Sequence, residues 1–482
     1  MYQRALTGVA RVLLVNYHQN RGLNPYHPDS VSKVTGAFPP LGLQYLAAVL
    51  QHRGLAEVEI YDANVRQDDD ETFKRRLASS GADILGFTSS TFEWLTTLGA
   101  MRMAREVLPR ALIVVGGPAV GAYPRECLSF KEIDIGVIGE GEETFAEIVS
   151  LRSEGEALDG IKGTVVRRDG RVVVAPERPF IQDLDSIPFP QRDLIDPKAY
   201  NAIFIRKPFA TLITSRGCPF QCSFCSRFYF GNKVRSRSAS NILAEFEHCA
   251  ERYGVKEFMI YDDTFGVRRD IALELCDLMI ERRHNFRWSV RTRVDCVDEV
   301  ALERLRKAGC YKLHMGVESG SEEILRRMNK GITLEQVRRT FKLASDAGIE
   351  TVGYFMFGYP GDTLASIEKT RRLSLELRLS WADFSITTPA PRTELNDEFE
   401  RSGYIDGDFW RRYTLGEPIN RLPYFTTPEF DEETLEAILN DAFTKFYLRP
   451  SVILKKALSP QFWFEAKKSI DGALALFKMW WK

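Results

Sequence analysis

Three cysteines, Cys218, Cys222 and Cys225, in the run Ser215-Arg216-Gly217-Cys218-Pro219-Phe220-Gln221-Cys222-Ser223-Phe224-Cys225, constrain this chain more than any other feature. The run follows Phe209-Ala210-Thr211-Leu212-Ile213-Thr214, an apolar stretch that reads as a buried strand. The thiols are therefore expected on a loop at a strand's C-terminal end, where α/β enzymes keep their chemistry. Three thiolates on one short loop can each hold one iron of a four-iron, four-sulfur cluster, leaving the fourth iron open to a substrate or cofactor. A zinc site completed by a ligand such as His248, or a chance grouping of packed thiols, would use the same three residues.

At 482 residues the chain is too long for one ordinary core and is expected to form two or three domains. Lys plus Arg number 65 against 66 Asp plus Glu, a formal net charge of −1, so charge gives no support for a nucleic-acid partner. The eight cysteines form no disulfide framework and the first residues hold no secretory apolar region. A reducing cytoplasm is the expected location. No stretch reaches the ~18 apolar residues of a membrane span, so any membrane contact would be peripheral.

Strand and helix patterns alternate along the first third. Residues 11–18 read as a strand and 40–50 as a helix ending near Gly54; further strands are expected at 58–62, 83–88, 112–116 and 133–138. Residues 9–150 thus read as a doubly wound, Rossmann-like parallel sheet with binding loops at its strand ends. Three turns stand out there: Ser89-Ser90-Thr91, Gly116-Gly117-Pro118 and Gly139-Glu140-Gly141-Glu142-Glu143-Thr144. Their glycines suit close approach to a bulky ligand, or an ordinary strand-to-helix turn. Residues 151–205 open with a β-like stretch, 163–168, and continue Pro-rich, as a linker.

From Ala210 the alternation resumes, with strands expected at 211–215, 257–262, 287–293, 312–318, 350–357 and 383–388. Six such units over 206–390 suit a complete or partial parallel βα barrel. Residues 391–482 read as a helical extension. A helix from near Asp431 places Leu435, Ile438, Leu439, Ala442, Phe443 and Phe446 on one face, as a cover for the barrel.

The Cys-x3-Cys-x2-Cys spacing, with aromatic Phe224 before the third cysteine, resembles the signature of radical S-adenosylmethionine (SAM) enzymes. Ahead of it, the sequences from Pro39 to Leu50, from Val114 to Pro118 and from Gly139 to Phe145 look like the cobalamin-binding domain of the cobalamin-dependent branch of that family. The resemblance implies one [4Fe-4S] cluster on Cys218, Cys222 and Cys225, with SAM on the open iron and cobalamin in the first domain. No second cysteine group follows Cys225, so no auxiliary cluster is expected.

For SAM the resemblance points to Phe224 and to polar groups at the barrel strand ends: Asp262, Arg293, Glu318, Ser319 and the Gly358 turn. Carboxylates match an ammonium group, arginine a carboxylate, and a glycine turn an adenine. For cobalamin it points to Ser89, Thr91, Gly116, Gly117, Glu140 and Gly141. The family's cobalt-ligating histidine lies in a DxHxxG pattern; here the loop reads Asn16-Tyr17-His18-Gln19-Asn20-Arg21-Gly22, so His18 lacks the orienting carboxylate. Cys296, near the same rim, is a candidate hydrogen-atom donor or a packed thiol.

The implied activity is abstraction of hydrogen from an unactivated carbon by a SAM-derived 5'-deoxyadenosyl radical, followed first of all by methyl transfer. Ring closure, oxidation or carbon–carbon bond formation is the second reading, and a non-catalytic cobalamin sensor the third. A methylthiotransferase would need more N-terminal cysteines than Cys127. The partners implied are a small, hydrophobic substrate such as a lipid or tetrapyrrole, and an electron donor such as flavodoxin or ferredoxin. The tail from Phe462 to Trp481 mixes aromatics with Lys467, Lys468 and Lys478, which suits either a lipid headgroup boundary or docking on the chain's own core.

Overall fold

The computed structural model describes residues 9–17, 36–202, 205–419, 422–450 and 452. His18 and the tail from 453 onward lie outside the described residues.

The first sheet has seven strands, in the order Ala56–Asp62, Ala10–Asn16, Ile84–Thr88, Leu112–Gly116, Ile135–Val137, Thr164–Arg168 and Arg171–Val174. The first five are parallel. The near-continuous apolar runs of the inner strands are buried because helices cover both faces, while the edge strand Ala56–Asp62 alternates and leaves Glu57 exposed. Leu43, Ala47 and Leu50 of helix Leu41–His52 and Phe145 and Ile148 of helix Gly141–Glu154 pack on Val12 and Leu14. Phe73 and Leu77 of Asp70–Ser80 and Trp94, Leu98 and Met101 of Trp94–Val107 pack on Leu13, Val15 and Phe87. Residues 164–174, read above as the start of a linker, instead add an antiparallel hairpin to the edge of this sheet. The short parallel strand Ile135–Val137 leaves an edge that the hairpin pairs.

The second sheet has six parallel strands in chain order: Phe209–Leu212, Glu257–Ile260, Arg287–Thr292, Cys310–Glu318, Glu350–Phe357 and Trp381–Ile386. First and last strands do not pair, so the barrel is open. Alternation divides each strand: Leu212, Ile260, Val290, Leu313, Phe355 and Phe384 enter the core against the helices, and their neighbours face the lumen. The first strand is shorter than its apolar run suggests, because Ser215–Arg216 leaves the sheet to pair with Arg235–Ser236. That ribbon carries the chain into the cysteine loop.

The C-terminal extension packs on both halves. Helices Glu394–Arg401 and Phe409–Thr414 bring Leu395, Phe399, Trp410 and Tyr413 onto the face of the first sheet that holds Trp94. Trp94 Nε1 donates to Thr414 O at 2.8 Å, and Tyr123 OH to Asp408 at 2.8 Å. Helix Glu432–Tyr447, capped by Asp431, lays Phe443 and Phe446 against Phe384 of the last barrel strand. Among the described residues no helix is long and apolar enough to cross a membrane.

Candidate active site

The cysteine loop is held at its base by two carboxylates on the second barrel strand's exit. Asp262, fully buried, accepts from Thr214 N at 2.6 Å and Ser215 Oγ at 2.7 Å, and Asp263 accepts from Gly217 N at 3.1 Å. Gly217 turns the chain at φ +89°, and a Cβ there would lie 2.3 Å from Lys233 O. Gly217→Ala is therefore expected to shift the loop, at a strain of about 1–3 kcal/mol, and to lower iron bound per chain after anaerobic reconstitution severalfold. An unchanged iron content would refute that role.

Beyond the turn, Cys218 N donates to Gly231 O at 3.3 Å, and Cys225 N to Cys222 O at 3.1 Å. Ser223 is pinned to the barrel: its N donates to Met328 O at 3.0 Å and its hydroxyl meets Tyr359 OH at 2.8 Å. The thiols are arranged around shared space. Surrounding protein pushes Cys225 up to about 12, with the Cys222 and Cys218 charges adding to it. Burial raises Cys222 as well, against the pull of Lys330 and Arg293. Three thiols that repel one another once ionised form a donor set for a strongly cationic group, and metal binding would release their protons.

That donor set fits an iron–sulfur cluster better than zinc. Among the described residues no three His, Cys, Asp or Glu side chains close on a single ion. Thiols holding separate corners of a cluster stand further apart than thiols on one ion. His248 is engaged elsewhere, its ring 5.9 Å from Phe189 and 5.8 Å from Tyr253.

Beside the thiols lies a continuous polar site. Arg293 Nη1 reaches Cys222 Sγ at 3.6 Å, its guanidinium lies 3.7 Å from the Phe220 ring centre, and Asp295 accepts from it twice at 2.9 Å. Arg293 Nη2 also donates to Lys330 O at 2.7 Å. Lys330 Nζ donates to Glu318 Oε1 at 2.6 Å and stands 5.8 Å from the Phe224 ring. A register shift between Gly316 and Glu318 and a φ of +68° at Glu318 turn this carboxylate inward. Gly316 leaves room for this carboxylate, since a Cβ there would lie 2.2 Å from Glu318 Oε1 and displace it.

Of the residues expected at SAM, the structure brings Phe224, Arg293 and Glu318 together beside the triad. Asp262 sits behind the loop rather than on its surface. Ser319 is buried, its Oγ near Thr370 Oγ1 at 3.2 Å and accepting from Ser321 N at 3.2 Å, so it shapes the strand exit. Gly358, at φ +77°, lies under helix Glu432–Tyr447, where a Cβ would approach Leu435 to 2.9 Å. In the same turn Asp362 accepts from Tyr359 N at 3.1 Å and Ser366 Oγ at 2.6 Å.

Burial raises the Asp362 carboxyl to about 6. The folded chain keeps that proton up to about pH 6, whereas the unfolded chain releases it near pH 4. Stability is expected to fall as pH rises through this window, by up to about 3 kcal/mol. Denaturation between pH 4 and 7 checks it, and Asp362→Asn should flatten the slope.

In the first domain the strand order reverses direction between Ala10–Asn16 and Ile84–Thr88, which opens a crevice at their carboxyl ends. Ser89 and Thr91 begin the second of the loops there. Gly117, at φ +98°, locks against Ser89, whose carbonyl a Cβ would approach to 2.7 Å. Gly116 would tolerate a Cβ, the nearest atom being 3.7 Å away. Gly141 lies against Leu46 of the first helix. This cradle at a switch point fits a large planar cofactor.

Glu140 departs from expectation. Both its oxygens are spent outside the first domain: Arg216 Nη1 and Arg235 Nη1 of the barrel donate to Oε1 at 2.8 Å, and Ile181 N of the linker to Oε2 at 2.7 Å. Glu142 accepts from Arg216 Nη2 at 2.5 Å. Arg216 is two residues before Cys218, so this acidic turn grips the root of the cysteine loop. Phe228, three residues after Cys225, packs on Gly121 of the first domain. Arg392 Nη1 donates to Gly121 O at 2.7 Å, its guanidinium 4.9 Å from the Phe228 ring centre. Sequence reasoning gave no role to Lys330 or Arg216, and set Glu142 in a turn facing a ligand rather than against Arg216.

A model of the radical SAM superfamily matches residues 212–374, and one of the B12 binding domain matches residues 29–149. An uncharacterized methyltransferase of Pyrococcus horikoshii is 32% identical over 459 residues, covering 94% of this chain and 97% of that protein. The anaerobic magnesium-protoporphyrin IX monomethyl ester cyclase of Rubrivivax gelatinosus is 29% identical over 385 residues, 78% of this chain and 69% of that protein. Among solved structures, the fold is similar to the cobalamin-dependent SAM radical enzyme OxsB, with a TM-score of 0.70 at 18% identity, over 97% of this chain and 72% of that one. It is also similar to the radical SAM methyltransferase TsrM of Kitasatospora setae, with a TM-score of 0.67 at 21% identity, over 82% of this chain and 78% of that one.

Proposed function

Because this chain belongs to the radical SAM superfamily and carries a B12-binding domain ahead of its barrel, we propose that it transfers a methyl group to an unactivated carbon of a small molecule. The observation that carries this is the joining of the two halves at the cysteine loop, where Glu140 and Glu142 hold Arg216. A first domain locked at that point has its strand ends turned toward the reaction chamber. When bound, the cluster supplies the electron that cleaves SAM and cobalamin supplies a transferable methyl group.

On this reading residues 9–150 bind cobalamin and 206–390 form the reaction barrel, with 151–205 between them and 391–482 as a C-terminal extension whose helices as far as Tyr447 cover both. Cys218, Cys222 and Cys225 hold the cluster. Glu318, Arg293 and Phe224 face SAM, with Lys330 fixing the Glu318 carboxylate and Asp295 fixing Arg293. Asp262, Ser319 and Gly358 shape that site from behind. Ser89, Thr91, Gly116, Gly117 and Gly141 line the cobalamin cradle. The protein works in the cytoplasm, takes electrons from a flavodoxin or ferredoxin, and acts on a small, hydrophobic substrate.

The test supplies anaerobic, reconstituted protein with cobalamin, reductant, SAM bearing a deuterated methyl group, and a lipid and tetrapyrrole extract. Mass spectrometry follows 5'-deoxyadenosine, S-adenosylhomocysteine and label together. Both nucleosides and a labelled product are expected. Deoxyadenosine without homocysteine or label would overturn methyl transfer in favour of ring closure or oxidation, the reading favoured by the similarity to the cyclase.

A further inference from the structure

Below the Arg293 layer, the barrel lumen holds a cation that is in direct contact with no carboxylate among the described residues. On strand Arg287–Thr292, Trp288 and Val290 enter the core, so Arg287, Ser289 and Arg291 point inward. The charges at the far end pair with one another: Arg287 with Glu257 at 3.5 Å and Lys312 with Glu350 at 3.7 Å. Toward the mouth, Arg293 has Asp295. Arg291, between these layers, makes no ion pair among the described residues, and it stays exposed while Val290 and Thr292 beside it are buried.

Closest to it stand neutral donors and rings, while the carboxylates of Asp263 and Asp383 act on this layer from further off. The guanidinium lies 4.3 Å from the Tyr261 ring centre. The strand register sets Arg291 beside His314, whose Nδ1 is 2.9 Å from Tyr354 OH. Burial, with the charges of Lys312 and Arg291, holds His314 well below the usual histidine range, so it is uncharged at neutral pH. An arginine fork held over a ring, among hydroxyls and a neutral imidazole, is matched by a planar or tetrahedral oxyanion.

We propose that Arg291, with Tyr261 behind it and the His314–Tyr354 pair at its side, docks an oxyanion of the substrate, a carboxylate or phosphoryl group. The substrate is then an acid, bound with its charged head toward the lumen. Its reacting carbon lies nearer the Arg293 level, two residues or about 6–7 Å along the strand. This rests on the barrel being the substrate chamber, as proposed above.

The experiment uses three probes of one chain length, octanoate, octyl phosphate and octanol, on the full-length, cluster-loaded protein by ligand-observed NMR. SAM affinity is read separately by equilibrium dialysis. Wild type is expected to favour one of the acids over octanol by roughly tenfold or more, and the preferred acid identifies the head group. Arg291→Gln should bring that ratio to within about threefold while SAM affinity holds within about threefold. Equal binding of octanol and both acids by wild type would overturn the proposal. So would a tenfold loss of SAM affinity in Arg291→Gln, which would assign the guanidinium to the SAM carboxylate. Should Arg291→Gln not fold, Arg291→Lys, which keeps the charge but loses the fork, decides by the same ratio. Failed methyl transfer in the labelling experiment would leave this selectivity standing, and lost selectivity would leave label transfer standing.

Discussion

Cys225→Ala should abolish both cluster assembly and SAM cleavage while leaving the fold intact. The Cys225 thiol opens onto the shared space at the barrel mouth and takes no part in the hydrophobic cores, so its removal creates no cavity. What is lost is one of three anchors, and two thiolates do not hold a four-iron cluster whose fourth iron must stay open. Iron, sulfide and the cluster's visible absorbance should fall to background after reconstitution, and deoxyadenosine with them. Thermal melting of the iron-free protein should match wild type. Cys296→Ala, altering a half-buried thiol outside the triad, should keep its iron. Full iron retention in Cys225→Ala would refute the assignment of the triad.

The second large effect is expected from Glu140→Ala. The Glu140, Arg216 and Arg235 side chains are 4%, 4% and 7% exposed. Removing the carboxylate leaves Arg235 without its acidic partner and Arg216 with Glu142 alone. Breaking one side of a buried pair costs about 3–5 kcal/mol, because the remaining charge is stranded out of water. The first transition in a urea titration should move to lower denaturant, and cluster retention should fall too, since Arg216 anchors the loop two residues before Cys218. A Glu140→Gln variant, which keeps a hydrogen-bond acceptor, should lose less. If Glu140→Ala changed neither stability nor iron retention, the two halves would not be joined through this turn.

Much of this architecture was legible in the chain. Apolar runs such as Val12 to Val15 and Leu112 to Val115 mark strands buried on both faces, and six strand-to-helix repeats after Ala210 give the barrel. The cysteine loop's place after the first barrel strand followed from the apolar run Phe209 to Thr214 ahead of it. What could not be read were partners distant in sequence. An acidic pair at a helix start reads as ordinary complement to the helix dipole, and nothing near Glu140 announces an arginine 76 residues later. Lys330 lies on the loop after helix Glu322–Arg327, where a lysine normally meets solvent, so its bond to Glu318 needed coordinates. The stretch 163–168 was legible as β structure, but its return strand Arg171–Val174 and its pairing onto the first sheet were not, because an edge pair is alike in sequence to an extended linker.

The contact between Trp94 and Thr414 joins residues 320 apart. A ribosome adding about 5–20 residues per second needs roughly 15–60 s to span that interval. For most of that time, from Val174 to Leu395, one face of the completed first sheet lacks Leu395, Phe399 and Trp410, the side chains that cover it in the finished protein. The nascent chain therefore presents a broad apolar surface during most of its synthesis, and is expected to depend on chaperones in the cell.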